Sequence, residues 1–195
     1  MQVIVVATEN QKAQLAECDS SITWVDSVDA LTHFSTADAF VDLSFELNKE
    51  RIALLAALLP KPVVINSVAS TLENTHPAFV RINGWNSFLA SSTWEATCIN
   101  EKTRPQAEAV FTALGKKAEW LPDSPGFVTA RVVSMIINEA FLALEEGVST
   151  RDEINTAMKL GTAYPYGPFE WAEKIGMPNV VQLLEALSRI HPRYT

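Results

Sequence analysis

The first part of the chain alternates short apolar runs with segments whose apolar residues recur at helical spacing. Continuous apolar, β-branched runs are typical of strands that are buried on both faces of a sheet. The strand candidates are Gln2–Ala7, Ile22–Val25, Ala39–Leu43, Pro62–Asn66 and Phe79–Ile82, with a last short strand in Lys116–Ser124. The helix candidates are Gln11–Glu17, Asp29–Phe34, Asn48–Leu59 and Arg104–Leu114. Strands that alternate with helices predict a mostly parallel, Rossmann-like α/β sheet.

From Gly126 onward the pattern becomes purely helical. Thr129–Glu146 places apolar residues on a wide stripe that runs from Val132 to Leu144 and ends before Gly147. Thr150–Glu153 has the sequence of a capping box, and a helix is expected to run from there to Gly161. Pro178 suits the first turn of a final helix through Ile190. We therefore predict two domains, a Rossmann-like domain at 1–122 and an all-helical domain at 123–195.

Composition and charge narrow the function. Apolar residues make up 48% and charged residues 19% of the chain, as in ordinary globular proteins. A net charge of −8 argues against nucleic-acid binding, which requires a basic face. No apolar run is long enough to cross a membrane, and Met1–Ala7 has no basic flank or cleavage pattern. The two cysteines, Cys18 and Cys98, form no motif, and no metal-ligand spacing occurs, so a cytoplasmic protein without a metal is expected.

Five motifs in the second half occur in a fixed order that carries a resemblance. They are Asp123–Val128 (DSPGFV), Asn138–Ala140 (NEA), Glu145–Val148 (EEGV), Ile154–Gly161 (INTAMKLG) and Tyr164–Glu170 (YPYGPFE). Together they resemble the start of the C-terminal domain of 3-hydroxyacyl-CoA dehydrogenases. In that family the domain packs against its copy, so the resemblance implies a homodimer, and the apolar stripe would suit such an interface.

The first half is similar to the same family, although less closely and with gaps. Ala37–Glu46 resembles the strand that ends beside the cofactor, which makes Glu46 a candidate cofactor residue. In Ile65–Leu72, Ser70 matches a serine that binds the substrate. Asn83, with Glu95 twelve positions later, falls where the family has its catalytic histidine and the glutamate that orients it. The resemblance implies NAD as cofactor and an acyl-CoA as substrate.

Several residues that this chemistry requires are replaced. Oxidation of a 3-hydroxyl needs a general base, and the amide of Asn83 cannot accept the proton. Glu95 could serve as the base alone or be an ordinary paired glutamate, and His76 could substitute for the histidine or be a solvated loop residue. Ser70 could bind a substrate oxygen or cap a turn. Ala130 stands where the family has an asparagine.

The turn after the first strand also departs from a dinucleotide site. Such sites need glycines that let the backbone approach the diphosphate. Here the turn reads Ala7–Lys12 (ATENQK), without a glycine and with an acidic residue, Glu9. Asp26 lies at a spacing suited to a ribose-binding acid, or is an ordinary strand-end residue. We predict that NAD binds weakly or not at all.

Three functions remain open at this point. The protein is an atypical NAD-dependent 3-hydroxyacyl-CoA dehydrogenase, a non-catalytic dimer that binds an acyl-CoA-like ligand or a partner protein, or a purely structural dimer. Retention of Ser70 and Glu95 without the base favours binding over turnover. If the fold is inherited, Ser70, Asn83 and Glu95 should converge at the carboxyl ends of the strands.

Overall fold

The structure is a computed structural model that describes residues 1–15 and 21–194. The chain divides into two compact units, Met1–Phe127 and Val128–Thr195. The proposed assignment of 1–122 and 123–195 to two functional domains stays a prediction. Cys18, like residues 16 and 17 at the end of the predicted helix Gln11–Glu17, lies outside the described residues.

A single seven-stranded sheet forms the framework of the first unit. Its strands are β1 (Val3–Val6), β2 (Ile22–Val25), β3 (Ala39–Asp42), β4 (Val63–Asn66), β5 (Val80–Ile82), β6 (Thr93–Thr97) and β7 (Lys117–Trp120). Their order across the sheet is β2-β1-β3-β4-β5-β6-β7. Every neighbouring pair is parallel except β5 with β6. The predicted Rossmann-like, mostly parallel sheet is therefore confirmed.

Alternate side chains of the strands build the core on both faces of the sheet. Val3 and Val5 belong to the cluster on one face, which also contains Trp94 and Phe111. Ile4 belongs to the cluster on the other face. A strand that is buried on both sides needs an unbroken apolar run, which is why the first strand lacks alternation in its sequence.

The helices of the first unit are shorter than their sequence patterns predict. They are α1 (Glu9–Ala13), α2 (Lys49–Ala56) and α3 (Arg104–Ala113). The segment predicted as a helix at Asp29–Phe34 is a 3₁₀ helix over Val28–His33. Asn48 lies outside α2 because its side chain caps the helix by accepting a hydrogen bond from the Arg51 amide.

Strand β6 is the element that the sequence patterns miss. Its sequence, TWEAT, has polar residues at three of five positions, so it lacks the apolar run of the other strands. The register pairs Arg81 with Thr97 and Ile82 with Ala96 in the antiparallel sense. Glu95 is consequently the middle residue of a strand, and not a strand end as the sequence argument assumed.

The second unit is helical throughout its described residues. It contains α4 (Thr129–Glu145), α5 (Arg151–Thr162), α6 (Pro168–Ile175) and α7 (Met177–Ser188). The capping box of Thr150 with Glu153 is present, as predicted. Helix α5 continues through Gly161 to Thr162, however, and its C-cap is Ala163, which adopts the left-handed conformation at φ 56°. The final helix ends at Ser188, two residues before the predicted end.

Candidate functional site

The carboxyl ends of the parallel strands lie at one edge of the sheet. Asn83 follows β5 directly, so it lies at this edge. Because β6 runs antiparallel to β5, Glu95 returns to the same position, and the Asn83 amide N–H donates to the Glu95 carbonyl over 3.0 Å. The side chains also meet, since Asn83 Nδ2 donates to Glu95 Oε2 over 2.9 Å. The structure thus brings together Asn83 and Glu95, the two candidate site residues that lie twelve positions apart in the sequence.

The Asn83 side chain is fixed by its surroundings. Only 3% of the residue is exposed. Its Oδ1 accepts a long hydrogen bond of 3.4 Å from the Trp85 amide. Trp94, which precedes Glu95, is 1% exposed and donates from its indole nitrogen to the Leu89 carbonyl over 3.1 Å. The pair is therefore a buried amide that donates to a carboxylate.

Asn66, at the end of β4, forms hydrogen bonds with Gly84, the residue that follows Asn83. Its Oδ1 accepts from the Gly84 amide over 2.9 Å, and its Nδ2 donates to the Gly84 carbonyl over 3.1 Å. A Cβ at position 84 would lie 2.7 Å from Asn66 Cγ, closer than atoms can approach. The glycine is needed here for close packing. Sequence reasoning missed Asn66, although Asn66 ends a predicted strand and Gly84 follows Asn83 directly.

Ser70 lies in the segment that connects β4 to β5. Its carbonyl accepts a hydrogen bond of 3.0 Å from the Ser67 hydroxyl. The segment is further tied by the Leu72 amide, which donates to Asp123 Oδ2 over 2.8 Å. The structure pairs Asn83 with Glu95, whereas a substrate-binding role for Ser70 stays a prediction.

Arg81 on β5 is a second residue that sequence reasoning missed. Its side chain is fully buried, and its Nη2 lies 2.9 Å from Asp123 Oδ1. The guanidinium also donates to three backbone carbonyls, those of Ser67, Val68 and Ser124. Burial lowers the pKa of Arg81 to about 10, and the Asp123 carboxylate opposes that shift.

Contacts with Arg81 account for the first of the five motifs, Asp123–Val128. The ring of Phe127 lies 4.3 Å from the guanidinium carbon of Arg81. The Gly126 amide donates to the Val68 carbonyl over 2.8 Å. The Asp-Ser-Pro-Gly-Phe sequence therefore anchors the end of the first unit to the segment between β4 and β5.

The crevice between β1 and β3 is crossed by the side chain of Gln11. Its Nε2 donates to the Leu43 carbonyl over 2.8 Å. Its Oε1 accepts from the Thr8 amide over 2.9 Å and from the Ser44 hydroxyl over 3.0 Å. Thr8 and Gln11 thereby form a capping box at the start of the five-residue helix α1.

The two cofactor candidates are Asp26 and Glu46. Asp26 forms an ion pair of 2.9 Å with Lys12, which also contacts Glu9 over 2.7 Å. Glu46 is exposed, and its carbonyl accepts from the Asn48 amide over 2.9 Å.

The remaining candidates from the sequence take structural positions. His76 precedes the amino end of β5, whereas Asn83 follows the carboxyl end, so the two residues lie at opposite ends of that strand. His76 Nδ1 accepts from the Ala78 amide over 3.2 Å, and its ring lies 4.8 Å from that of Phe79. Ala130 is fully buried in α4. Within residues 1–15 and 21–194, no group of three or more potential metal ligands occurs.

The helical unit has an open apolar groove of about 680 Å³. Apolar side chains from α4 and α5 form most of its lining: Val132, Met135, Ile136, Ala140, Ala143, Ile154 and Met158. Arg131 and Arg193 also line it, as does Glu139. None of the twelve residues of α5 is buried, although its apolar residues recur at helical spacing. None of the described helices is long and apolar enough to span a bilayer.

Comparison with known proteins assigns the helical half. Residues 126–193 match the family model of the 3-hydroxyacyl-CoA dehydrogenase C-terminal domain. The 3-hydroxyadipyl-CoA dehydrogenase of Escherichia coli (strain K12) is 47% identical over 73 residues, which make up 37% of this chain and 15% of that protein. The mitochondrial hydroxyacyl-coenzyme A dehydrogenase of Mus musculus is 26% identical over 200 residues, 95% of this chain and 64% of that protein. The chain thus spans less than two thirds of the length of either relative.

The whole chain also shares its fold with a solved dehydrogenase. The (S)-3-hydroxybutyryl-CoA dehydrogenase PaaH1 from Ralstonia eutropha superposes with a TM-score of 0.76 at 20% identity, covering 99% of this chain and 89% of that one. At this identity the likeness concerns the fold. Residues 126–193 thus belong to the C-terminal domain family of the 3-hydroxyacyl-CoA dehydrogenases, and the chain as a whole has the fold of a solved dehydrogenase.

Proposed function

We propose that the protein acts in acyl-CoA metabolism as a 3-hydroxyacyl-CoA dehydrogenase-like protein with little or no NAD-dependent hydride transfer of its own. The observation that carries this proposal is the hydrogen bond of 2.9 Å from Asn83 Nδ2 to Glu95 Oε2. An amide donor occupies the position at which the reaction needs a proton acceptor.

The chemistry of the reaction explains why this matters. When a hydride leaves the 3-carbon, the 3-hydroxyl must lose its proton, and a base with a suitable pKa accelerates that step by about 10²–10⁴-fold. A carboxamide has no such pKa. Glu95 accepts a hydrogen bond from Asn83, and the 3% exposure of Asn83 leaves little room for a substrate hydroxyl at the amide. The pair is better suited to holding the strand ends than to moving a proton.

The residues of the nucleotide half fit NAD poorly. When bound, NAD would supply or accept the hydride. A diphosphate is normally held by free backbone N–H groups at a glycine-rich turn and a helix N-terminus. Here the Thr8 amide already donates to Gln11, and the exposed carboxylate of Glu9 begins the helix. Weak or absent NAD binding follows as part of the proposal.

Turnover assays test the proposal directly. NADH oxidation with acetoacetyl-CoA should stay at background for the natural protein, against about 1–10³ s⁻¹ for typical enzymes. Asn83→His, which places an imidazole beside Glu95, should recover little activity because the cofactor site remains unsuited. Asn74→His, which adds an exposed histidine elsewhere, is the matched control. Turnover by the natural protein at ordinary enzyme rates would refute the proposal, and mutation of His76 and Glu95 would then identify the base.

A second candidate function is a non-catalytic homodimer that binds an acyl-CoA-like molecule or a partner protein. The groove between α4 and α5 favours it, because an apolar surface of this kind is normally covered. The stripe from Val132 to Leu144 would form the centre of the dimer interface.

Sedimentation velocity at micromolar concentration tests the association. The natural protein should sediment as a dimer, and Met135→Asp, which puts a charge in the groove, should sediment as a monomer. Glu185→Gln on the exposed face of α7 serves as the control and should remain dimeric. A monomeric mass for the natural protein would exclude the dimer.

A further inference from the structure

The position of the Gln11 side chain coincides with the topological switch point of the sheet. The chain passes from β1 to β2 on one side and then returns to β3 on the other side of β1. In open α/β sheets this arrangement opens a crevice at the carboxyl ends of the two central strands, and ligands normally bind there. In this protein the crevice is the one between the ends of β1 and β3.

The side chain of Gln11 bridges that crevice, because it is hydrogen-bonded to the ends of both strands. It reaches the Leu43 carbonyl after β3 over 2.8 Å and the Thr8 amide after β1 over 2.9 Å. The Ser44 hydroxyl donates to the same oxygen, Oε1, over 3.0 Å. The carboxamide thus satisfies backbone groups that a bound ligand would otherwise contact.

The chain of amides continues across the next strands. The Leu43 carbonyl accepts a second hydrogen bond, of 2.9 Å, from Asn66 Nδ2 at the end of β4. Asn66 in turn is bonded to the Gly84 amide and carbonyl after β5. We call this connected set the amide belt: the side chains of Gln11 and Asn66 with the backbone groups of Thr8, Leu43 and Gly84.

We infer that the amide belt is an internal replacement for a dinucleotide, which ties the strand ends together and closes the switch-point crevice to a diphosphate. Displacing Gln11 would leave the Leu43 carbonyl and the Thr8 amide with fewer partners, which costs stability. Lys12, the next residue after Gln11, is already paired with Glu9 and Asp26. The belt therefore performs at this edge the bridging that a cofactor performs in a dinucleotide-binding domain.

This inference deepens the cofactor part of the proposed function, but it is tested separately from catalysis. Gln11→Ala should lower the thermal unfolding midpoint by about 2–6 °C, since each lost hydrogen bond makes a small net contribution and the chain is of intermediate size. Gln106→Ala, which removes an exposed glutamine from α3, should change the midpoint by less than about 1 °C. Ser44→Ala removes one bond to the belt and should give an intermediate fall.

ADP-ribose is the second probe, because it contains the diphosphate but not the reactive ring. At millimolar concentration it should leave the unfolding midpoint of the natural protein unchanged within about 1 °C, whereas a bound ligand in large excess over its Kd would raise the midpoint by several degrees. The inference is overturned if ADP-ribose raises the midpoint, or if Gln11→Ala behaves like Gln106→Ala. If ADP-ribose raises the midpoint while NADH is not turned over, the inference fails and the proposed function stands, whereas turnover of NADH overturns both.

Discussion

Replacing Arg81 with methionine tests whether the buried cation anchors the end of the first unit. The side chain is fully buried, lies 2.9 Å from Asp123 and donates to three backbone carbonyls. Methionine fills a similar volume but removes the cation from Asp123, which keeps only the Leu72 amide as donor, and removes the guanidinium from the three carbonyls. Removing one partner of a buried ion pair costs about 3–5 kcal/mol, because the other charge stays buried and uncompensated.

Denaturant unfolding followed by tryptophan fluorescence is a suitable assay. Four of the five tryptophans lie in the first unit, so the signal reports chiefly on the unit that contains Arg81. A loss of this size corresponds to a fall in the thermal midpoint of about 6–20 °C. The unfolding slope should remain unchanged, which indicates that stability and not compactness has changed.

Arg104→Met provides the matched control. Arg104 pairs with Glu101 over 3.2 Å, and both side chains are substantially exposed. Exposed ion pairs contribute about 0–1 kcal/mol, so this variant should unfold close to the natural protein. If Arg81→Met and Arg104→Met lose similar amounts of stability, the reasoning about the buried anchor is wrong.

Three further predictions concern single sites. Gly84→Ala should cost about 1–3 kcal/mol in urea unfolding, because its Cβ would displace Asn66; Gly161→Ala, with nothing within 4 Å, should be neutral or stabilising, and equal effects would contradict the packing argument. A hydrogen bond from Lys159 holds the pKa of Glu170 below its ordinary 4.5, so Glu170 stabilises the fold above that pH and this contribution is lost as the pH falls through the lower, folded-state pKa. Glu170→Gln should therefore reduce the loss of stability at acid pH, followed by circular dichroism. An unchanged loss at acid pH would exclude this role. Leu160→Glu, at a site 82% exposed, should leave the unfolding midpoint within about 1 °C, and a larger fall would show that α5 is covered there.

The sequence predicts the architecture well because most of the buried strands appear as apolar runs and the longer helices show apolar residues at helical spacing. The switch to helix-only spacing after Gly126 marks the helical half for the same reason. Elements that depend on tertiary contacts are missed. Strand β6 has a polar sequence and is defined by its pairing with β5, which no local pattern in TWEAT reveals.

In the candidate site, too, some residues could be predicted from the sequence and others depend on tertiary contacts. The resemblance to the family supplied the positions of Asn83 and Glu95, and their pairing agrees with the twelve-residue separation. Arg81, Asn66 and Gln11 were missed because each also reaches backbone groups that are distant in sequence, although Thr8 and Gln11 do carry the local pattern of a capping box. An isolated arginine in a strand, or a glutamine in a first helical turn, carries no local signal of these partners.

The antiparallel step between β5 and β6 also affects how this region can change. Because the cross-strand ladder fixes where Asn83 faces Glu95, the stretch 84–92 sets only how the chain turns back between them. Its anchor at Gly84 must be kept, but residues added near its exposed tip at 90–92 would leave the ladder in place. Loop-length libraries inserted at that tip would therefore vary the connection between β5 and β6 while the pair of Asn83 and Glu95 stays in register.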